Sequence, residues 1–394
     1  MRRAAMTNPA AYAAQLASLE ARRRRRELRP AAGVDFTSND YLGLAASPRL
    51  RDALRAALDR GVPVGAGGSR LLRGNDPEHE RLEAEAAAFF GAARTLLFGS
   101  GYAANVALLA TLPQREDLVV FDERIHASAH DGMRLSRAER AAFRHNDPDD
   151  ARRLIGSWRT RGGAGRPWIA VESLYSMDGD RAPLETFRAL ADASDGFLIV
   201  DEAHATGVFG PGGRGLANAL EGRENVVVLH TGGKALGVGG ALVNASRLLC
   251  DFLVNRARPF VFATAPPPIL AAALRESLAI LAQEPERRER LAALVQHAGR
   301  RLGALPGAVP AGTQILPLIV GADGAALDLA QRLARRGFDV RAIRPPTVPE
   351  GTARLRISIT LNATAADVDA LADALAEALA AVDRGRATSA AAAE

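Results

Sequence analysis

From about Ser47 the chain alternates between two patterns: apolar residues spaced three and four apart, and short unbroken apolar runs. The first pattern covers residues 47–59, 76–90 and 102–112, and Asp76-Pro77 opens the second stretch with a capping residue followed by proline at the first helical position. The runs are TLLFGS (95–100), DLVVFDE (117–123), WIAVES (168–173), FLIVDEA (197–203), VVVLHT (226–231) and ALVNAS (241–246). Several lack any polar alternation, as strands covered on both faces do. Helical segments such as 151–161 and 183–193 separate them. This β-α-β rhythm predicts an α/β fold with a mostly parallel sheet and helices on both sides.

The rhythm changes after about residue 265. A long helical region, 267–305, is followed by ILPLIVG (315–321), a helix to residue 336, DVRAIR (339–344) and RLRISI (354–359). A final helix opens at Thr364, where Asp367 makes a partial capping box. The pattern divides the chain into an N-terminal arm (1–46), a large domain (47–265), linking helices with a smaller α+β domain (266–384), and a low-complexity, disordered tail (385–394). No internal repeat is evident.

A hydrophobic content of 48% over 394 residues furnishes a sizeable core. No apolar run has the length of a membrane span, and the start MRRAAMTNPAAYAAQ lacks the apolar centre of a signal peptide. Cys250 is the single cysteine, which excludes a disulfide framework and a cysteine-based metal site. These features predict a soluble cytoplasmic protein without a metal. The net charge of +5 and the run Arg22 to Arg26 raise the question of nucleic acid, but 45 acidic residues are dispersed through the chain and aromatics make up only 5%. The basic run also falls within a helical pattern, 12–28, where a solvated face is the usual explanation. The sequence therefore argues against a nucleic-acid partner.

Of 50 lysines and arginines, one is lysine: Lys234, in VVVLHTGGKALGVGG. A chain so biased uses arginine wherever positive charge suffices, whereas only lysine supplies a primary amine able to lose its proton and form a Schiff base. The alternative is a chance survivor of compositional drift. Four further features bear on the choice. FLIVDEAH ends a buried strand with Asp201 and His204, at the sheet edge where ligands of open α/β folds bind; the alternative for Asp201 is a cap on the next loop. FGSGYAAN (98–105) reads as strand, small-residue turn and helix start, whose amides at Ser100, Gly101 and Tyr102 suit a phosphate. His126 follows another strand end, where a flat ring can stack on a flat cofactor, although a lone histidine is more often structural. Thr231 precedes the lysine by three residues and offers a hydroxyl to the same phosphate. A phosphate cradle, an acidic partner for a ring nitrogen, an aromatic ring and one amine are the requirements of pyridoxal phosphate. No GxGxxG opens the first β-α unit, and Lys234 is followed by Ala235 rather than Ser or Thr, so neither a dinucleotide nor a Walker-type site accounts for these residues.

Over nearly its full length the chain resembles the α-oxoamine synthases, fold-type I pyridoxal-phosphate enzymes. The matching motifs are NDYLGL (39–44), GAGGSRLLRGN (65–75), GSGYAAN, HASAHDG, SMDGD (176–180), VDEAHATGVFG (200–210), TGGKALG and RPPTVPEGTARLRIS (344–358). The resemblance implies that Lys234 forms the Schiff base and moves protons, that Asp201 pairs with the pyridine nitrogen, and that His204 bonds the phenolic oxygen. It implies further that His126 stacks on the ring and meets the substrate, that Ser176 contacts the cofactor, and that Gly101, Tyr102 and Thr231 serve the phosphate. Arg29, Arg344 and Thr347 become the substrate-contacting residues, and the assembly a homodimer. Within the family, AIRPPTVPEGTARLR most resembles the member that condenses L-alanine with pimeloyl-CoA or pimeloyl-acyl-carrier protein. Sister enzymes acting on glycine or serine are the nearest alternative, and a non-catalytic arginine-rich binding protein the alternative of another class.

Overall fold

Among the residues that the computed structural model describes, 9–391, the strands in chain order begin with β1 (Val34–Asp35), β2 (Arg94–Phe98), β3 (Leu118–Asp122), β4 (Glu139–Phe143), β5 (Pro167–Glu172) and β6 (Phe197–Asp201). They continue with β7 (Val226–Thr231), β8 (Ala241–Ala245), β9 (Ile315–Gly321), β10 (Phe338–Asp339), β11 (Arg341–Ile343) and β12 (Ala353–Ser358). The chain folds as two units: residues 39–176 with 180–291, and the N-terminal part through 38 with 177–179 and the chain from 292 on.

In the larger unit seven strands pair in the order β2-β8-β7-β6-β5-β3-β4. All neighbours are parallel except at β8, which runs antiparallel to both β2 and β7. Period-two side-chain direction explains the unbroken apolar runs. Val119, Phe121, Ala170, Ile199, Val227 and Leu229 join one core with residues of the helices Gly101–Thr111, Ala127–Leu135 and Arg247–Arg256. Their neighbours Leu118, Val120, Ile169, Val171, Leu198, Val200 and Val228 join a second core with the helices Pro148–Thr160 and Leu184–Ala193. Both faces are covered, so no strand residue of the centre needs to be polar. Strand β4 escaped the sequence reading because it lies at the sheet edge with most of its residues exposed, and its sequence ERAAF carries no apolar run.

The helix Pro77–Phe90 begins as expected: Asp76 Oδ1 accepts from the Glu78 amide at 2.9 Å, and the Asp76 amide donates to His79 Nδ1 at 3.1 Å. The region 267–305 is two helices, Pro268–Gln283 and Pro285–Leu302, because Glu284 precedes a proline and leaves the helical region at φ −119°, ψ 62°. The first of them belongs to the larger unit rather than to a linking region. Its Arg275 pairs with Glu78 and Glu85, and Ser277 Oγ donates to the Leu236 carbonyl at 2.8 Å. The N-terminal boundary likewise falls at 38/39 rather than 46/47. Leu42 and Leu44 are fully buried, Leu42 near Gly207 and Leu44 near Gly237.

The smaller unit holds an antiparallel sheet in the order β11-β12-β9, with β1 pairing in parallel with β10. Its final helix, Ala365–Ala391, opens on a capping box in which the Thr364 amide donates to Asp367 Oδ2 at 2.8 Å and the Asp367 amide to Thr364 Oγ1 at 3.2 Å. That helix continues past residue 385, where the disordered tail was expected to begin, and residues 392–394 lie outside the described part. The arginine run also departs from expectation. The helix Pro9–Ala21 ends before it, Arg23 takes a left-handed φ of 56°, and the run is not simply a solvated helix face. Arg23 pairs with Asp328 at 2.5 Å, and Arg24 with Asp323 at 2.6 Å and Glu350 at 2.5 Å. No described helix is long and apolar enough to cross a membrane.

Candidate functional site

Because β2, β3, β5, β6 and β7 run the same way, their carboxyl ends emerge along one edge of the larger unit's sheet. Three of these strands end on a polar residue where they leave the core. Glu172, Asp201 and Thr231 are the last residues of β5, β6 and β7. After β2 comes the helix Gly101–Thr111, and after β3 comes His126, the cap of the helix Ala127–Leu135. A cavity of about 370 Å³ lies at this edge, lined among others by Gly101, Tyr102, Asn105, His126, Glu172, Asp201, His204, Thr231 and Lys234.

At one side of the cavity Ser100 Oγ caps the helix by accepting from the Ala103 amide at 3.1 Å. The preceding first-turn amides of Gly101 and Tyr102 have no partner within the helix, as in any helix start. A Cβ built on Gly101 would stand 3.1 Å from Thr231 Cγ2, so the glycine is what lets the threonine stand against the helix end. Amides, dipole and hydroxyl thereby converge on a place suited to an anion. The Tyr102 ring is exposed, and its hydroxyl bonds Asp131.

Asp201 is buried and accepts one donor on each oxygen. Its Oδ2 accepts from Asn105 Nδ2 at 2.7 Å and its Oδ1 from the Ala203 amide at 2.9 Å. Asn105 also donates to Ser128 Oγ at 3.0 Å. His204, three residues on, is buried with Nδ1 2.7 Å from the Tyr41 hydroxyl, which donates to Asn39 Oδ1 at 3.0 Å. His126 Nδ1 accepts from the Ser128 amide at 3.2 Å, leaving the proton of the neutral ring on Nε2. Desolvation against the sheet edge lowers this imidazole's pKa from the ordinary value; Lys234 adds to the effect and Asp201 opposes it. Glu172 is buried as deeply as Asp201 but less well bonded. Its Oε2 accepts from the Ser176 amide at 3.2 Å, and among the described residues Oε1 has no hydrogen-bond partner. Burial first, then the charge of Asp201, push Glu172 up to about 8, against the pull of Lys234.

The structure thus brings together Lys234, Asp201, His204, His126, Thr231, Gly101 and Tyr102, with Ser176 attached through Glu172. Arg344 and Thr347 belong to the smaller unit. There they line a cavity of about 220 Å³ with Arg24 and Arg26; Arg26 donates to Thr347 Oγ1 at 3.3 Å, and Arg344 Nε is buried with no hydrogen-bond partner among the described residues. Arg29 does not line that cavity: its side chain is exposed and paired with Glu27 at 3.0 Å. It is Arg26, three residues before Arg29, that stands beside Thr347.

Sequence reasoning missed Asn105, Glu172 and Tyr41. Two of them carried a signal that becomes readable beside a neighbour. Asn105 lies one helical turn after Gly101, on the same face. Glu172 ends WIAVES as Asp201 ends FLIVDEA, and the register of β5 and β6 sets the two side by side.

Residues 31–375 match the family described as aminotransferase class I and II. The 8-amino-7-oxononanoate synthase of Chromobacterium violaceum is 46% identical over 342 residues, covering 86% of this chain and 88% of that protein. The protein of the same name from Anaeromyxobacter dehalogenans is 45% identical, with 90% and 92% covered. Among solved structures, serine palmitoyltransferase from S. paucimobilis with a bound PLP–myriocin aldimine superposes with a TM-score of 0.85 at 27% identity, over 95% of this chain and 98% of that one. An 8-amino-7-oxononanoate synthase from Francisella tularensis gives 0.74 at 26% identity, over 88% and 98%.

Proposed function

Because the chain belongs to the class I and II aminotransferase family, we propose that it is a pyridoxal-phosphate-dependent acyltransferase of biotin biosynthesis. It condenses L-alanine with pimeloyl-CoA or pimeloyl-acyl-carrier protein, yielding 8-amino-7-oxononanoate, carbon dioxide and the carrier thiol. The observation that carries the reading is a single cavity holding the chain's only lysine together with a buried, doubly bonded aspartate and a helix N-terminus opened by Gly101 and Thr231.

The residues present suit the cofactor part by part. The Gly101 and Tyr102 amides with Thr231 would hold the phosphate, and the His126 ring would pack against the pyridine. Asp201, kept in place by Asn105 and the Ala203 amide, would hold a proton on the ring nitrogen. His204, oriented by Tyr41, would bond the phenolic oxygen. When bound, pyridoxal phosphate supplies the carbonyl that captures an amine and the electron sink that stabilises a carbanion. Lys234 holds the cofactor until substrate arrives, then takes the proton from the Cα of alanine and returns one after carbon dioxide has left. Arg344 and Thr347 are read as substrate-contacting residues, with Arg26 beside them in the role first given to Arg29. The same reading includes a homodimer in the cytoplasm.

The test is direct. Purified protein should be yellow, and borohydride should bleach it while labelling the peptide that contains Lys234. Alanine, glycine and serine should then be assayed against pimeloyl, acetyl and palmitoyl thioesters. The likeness to serine palmitoyltransferase supports a second reading, a serine-specific condensation, which preference for serine and a long acyl chain would establish. The higher identity to the synthases from Chromobacterium and Anaeromyxobacter favours the first.

A further inference from the structure

We propose that Glu172 is a positioning residue of this site: it holds the one proton shared between itself and Asp201, leaving Asp201 as the anion and presenting a neutral carboxylic acid to a ligand in the cavity. Three observations carry this. Glu172 and Asp201 face each other in the β5–β6 register, both at strand ends, with relative exposures of 3% and 6%. Two carboxylates so placed in a low-dielectric site do not both ionise at neutral pH. Their hydrogen bonds decide which one keeps the proton. Asp201 receives one donor on each oxygen, at 2.7 and 2.9 Å. Among the described residues Glu172 receives one donor, at 3.2 Å, and none reaches its Oε1, although the residue lines the cavity. An ionised carboxylate would leave that buried oxygen unsatisfied at a full desolvation penalty, whereas a carboxylic acid turns it into a donor that a ligand can accept.

The surrounding charges agree. Burial is the main force that pushes Glu172 up to about 8; Asp201 and, more weakly, Asp122 add to it, and Lys234 opposes them. The arrangement has a consequence for the site. With Glu172 neutral, the negative potential at the sheet edge is concentrated on Asp201, where a protonated ring nitrogen would be held. Ionisation of Glu172 would add a second negative charge beside the first and remove the donor. The statement about the proton stands on the protein's own residues; the ligand contact rests on the cofactor reading above.

Infrared titration of the full chain, with and without pyridoxal phosphate, tests both. At pH 6.5 the wild-type protein should show carbonyl absorption from protonated carboxylic acids, part of it lost in Glu172→Gln. Another part should belong to Glu202, which burial pushes up to about 7, and Glu202→Gln identifies it. The Glu172 share should vanish as the pH rises through about 8, and Asp201→Asn should move that midpoint down. Adding pyridoxal phosphate should shift the frequency of the Glu172 share. Above the transition, affinity for pyridoxal phosphate should fall up to about tenfold more per pH unit in wild type than in Glu172→Gln. A wild-type spectrum without a protonated share assignable to Glu172, or a midpoint indifferent to Asp201→Asn, overturns the proton assignment. A share that titrates as expected but does not shift when the cofactor binds overturns the ligand contact. Failure of pyridoxal phosphate to bind at all would sink the functional reading while leaving the titration in place.

Discussion

Asn105 donates to Asp201 across the gap between a helix and the end of a neighbouring strand, 2.7 Å from Nδ2 to Oδ2. The bond fixes which way a buried carboxylate points. Replacing Asn105 with alanine should therefore destabilise the protein by about 1–3 kcal/mol, the range for leaving a buried polar group unsatisfied. Urea unfolding should show the loss as a lower midpoint with an unchanged slope. An unchanged midpoint would mean that water takes the place of the amide.

Asp201→Asn should still bind pyridoxal phosphate but lose at least about a hundredfold in turnover, the scale of losing a preorganised electrostatic group. A neutral amide no longer favours a proton on the ring nitrogen. Steady-state kinetics on the loaded variant decide the matter, and near-normal turnover would make Asp201 structural.

Lys234→Arg keeps the positive charge and removes the only side-chain amine. The variant should be colourless under borohydride-sensitive wavelengths, should incorporate no label at this peptide, and should not turn over. A yellow, active Lys234→Arg protein would end the cofactor assignment.

Gly101→Ala places a methyl group 3.1 Å from Thr231 Cγ2, a contact that one of the two must yield. We expect about a tenfold weaker affinity for pyridoxal phosphate, equivalent to about 1.4 kcal/mol. Thr231→Ser removes the offending methyl and keeps the hydroxyl, so the double variant should recover most of the loss. Equal losses in single and double variants would show that crowding by Thr231 is not the cause.

His145 gives a stability signature that depends on pH. It bonds Asp122 at 2.9 Å and Asp180 at 2.7 Å; burial opposes its charge, but the two carboxylates prevail and raise it from 6.5 to about 9. A raised pKa means that the folded state binds the proton more tightly than the unfolded one. The stabilisation is complete below about pH 6.5 and disappears as the pH climbs through about 9, amounting to on the order of 3 kcal/mol. Melting temperatures of wild type and His145→Gln should therefore converge between pH 6.5 and 9. Parallel curves would show that the imidazole is not charged in the fold.

The sheet and its chemistry were legible in the sequence to different depths. Unbroken apolar runs such as FLIVD report burial on both faces, so the central strands declared themselves, and a carboxylate placed directly after such a run stood out. β4 did not, because an exposed edge strand is under no hydrophobic constraint. The arginine run looked helical from its residue types. What opposes a helix there is a left-handed φ at Arg23 and carboxylates some 300 positions away in sequence, Asp323 and Asp328, which no local pattern contains. Glu172 and Asn105 were hidden for the opposite reason. Each looks ordinary alone, and its meaning comes from the strand register and the helix end that set it against Asp201.

Strand β4, finally, bears on how the molecule behaves in a crowded solution. An outermost strand offers unsatisfied backbone groups to any extended segment that drifts past. Here the rim carries Glu139 and Arg140 in succession, and Glu139 is engaged by Arg161 at 2.7 Å. A newcomer would have to strip water from those charges before its backbone could zip onto the rim. The fold therefore guards one border of its sheet against recruitment into larger β-structured aggregates, and neutralising Glu139 and Arg140 together should make the protein cloud at lower concentration.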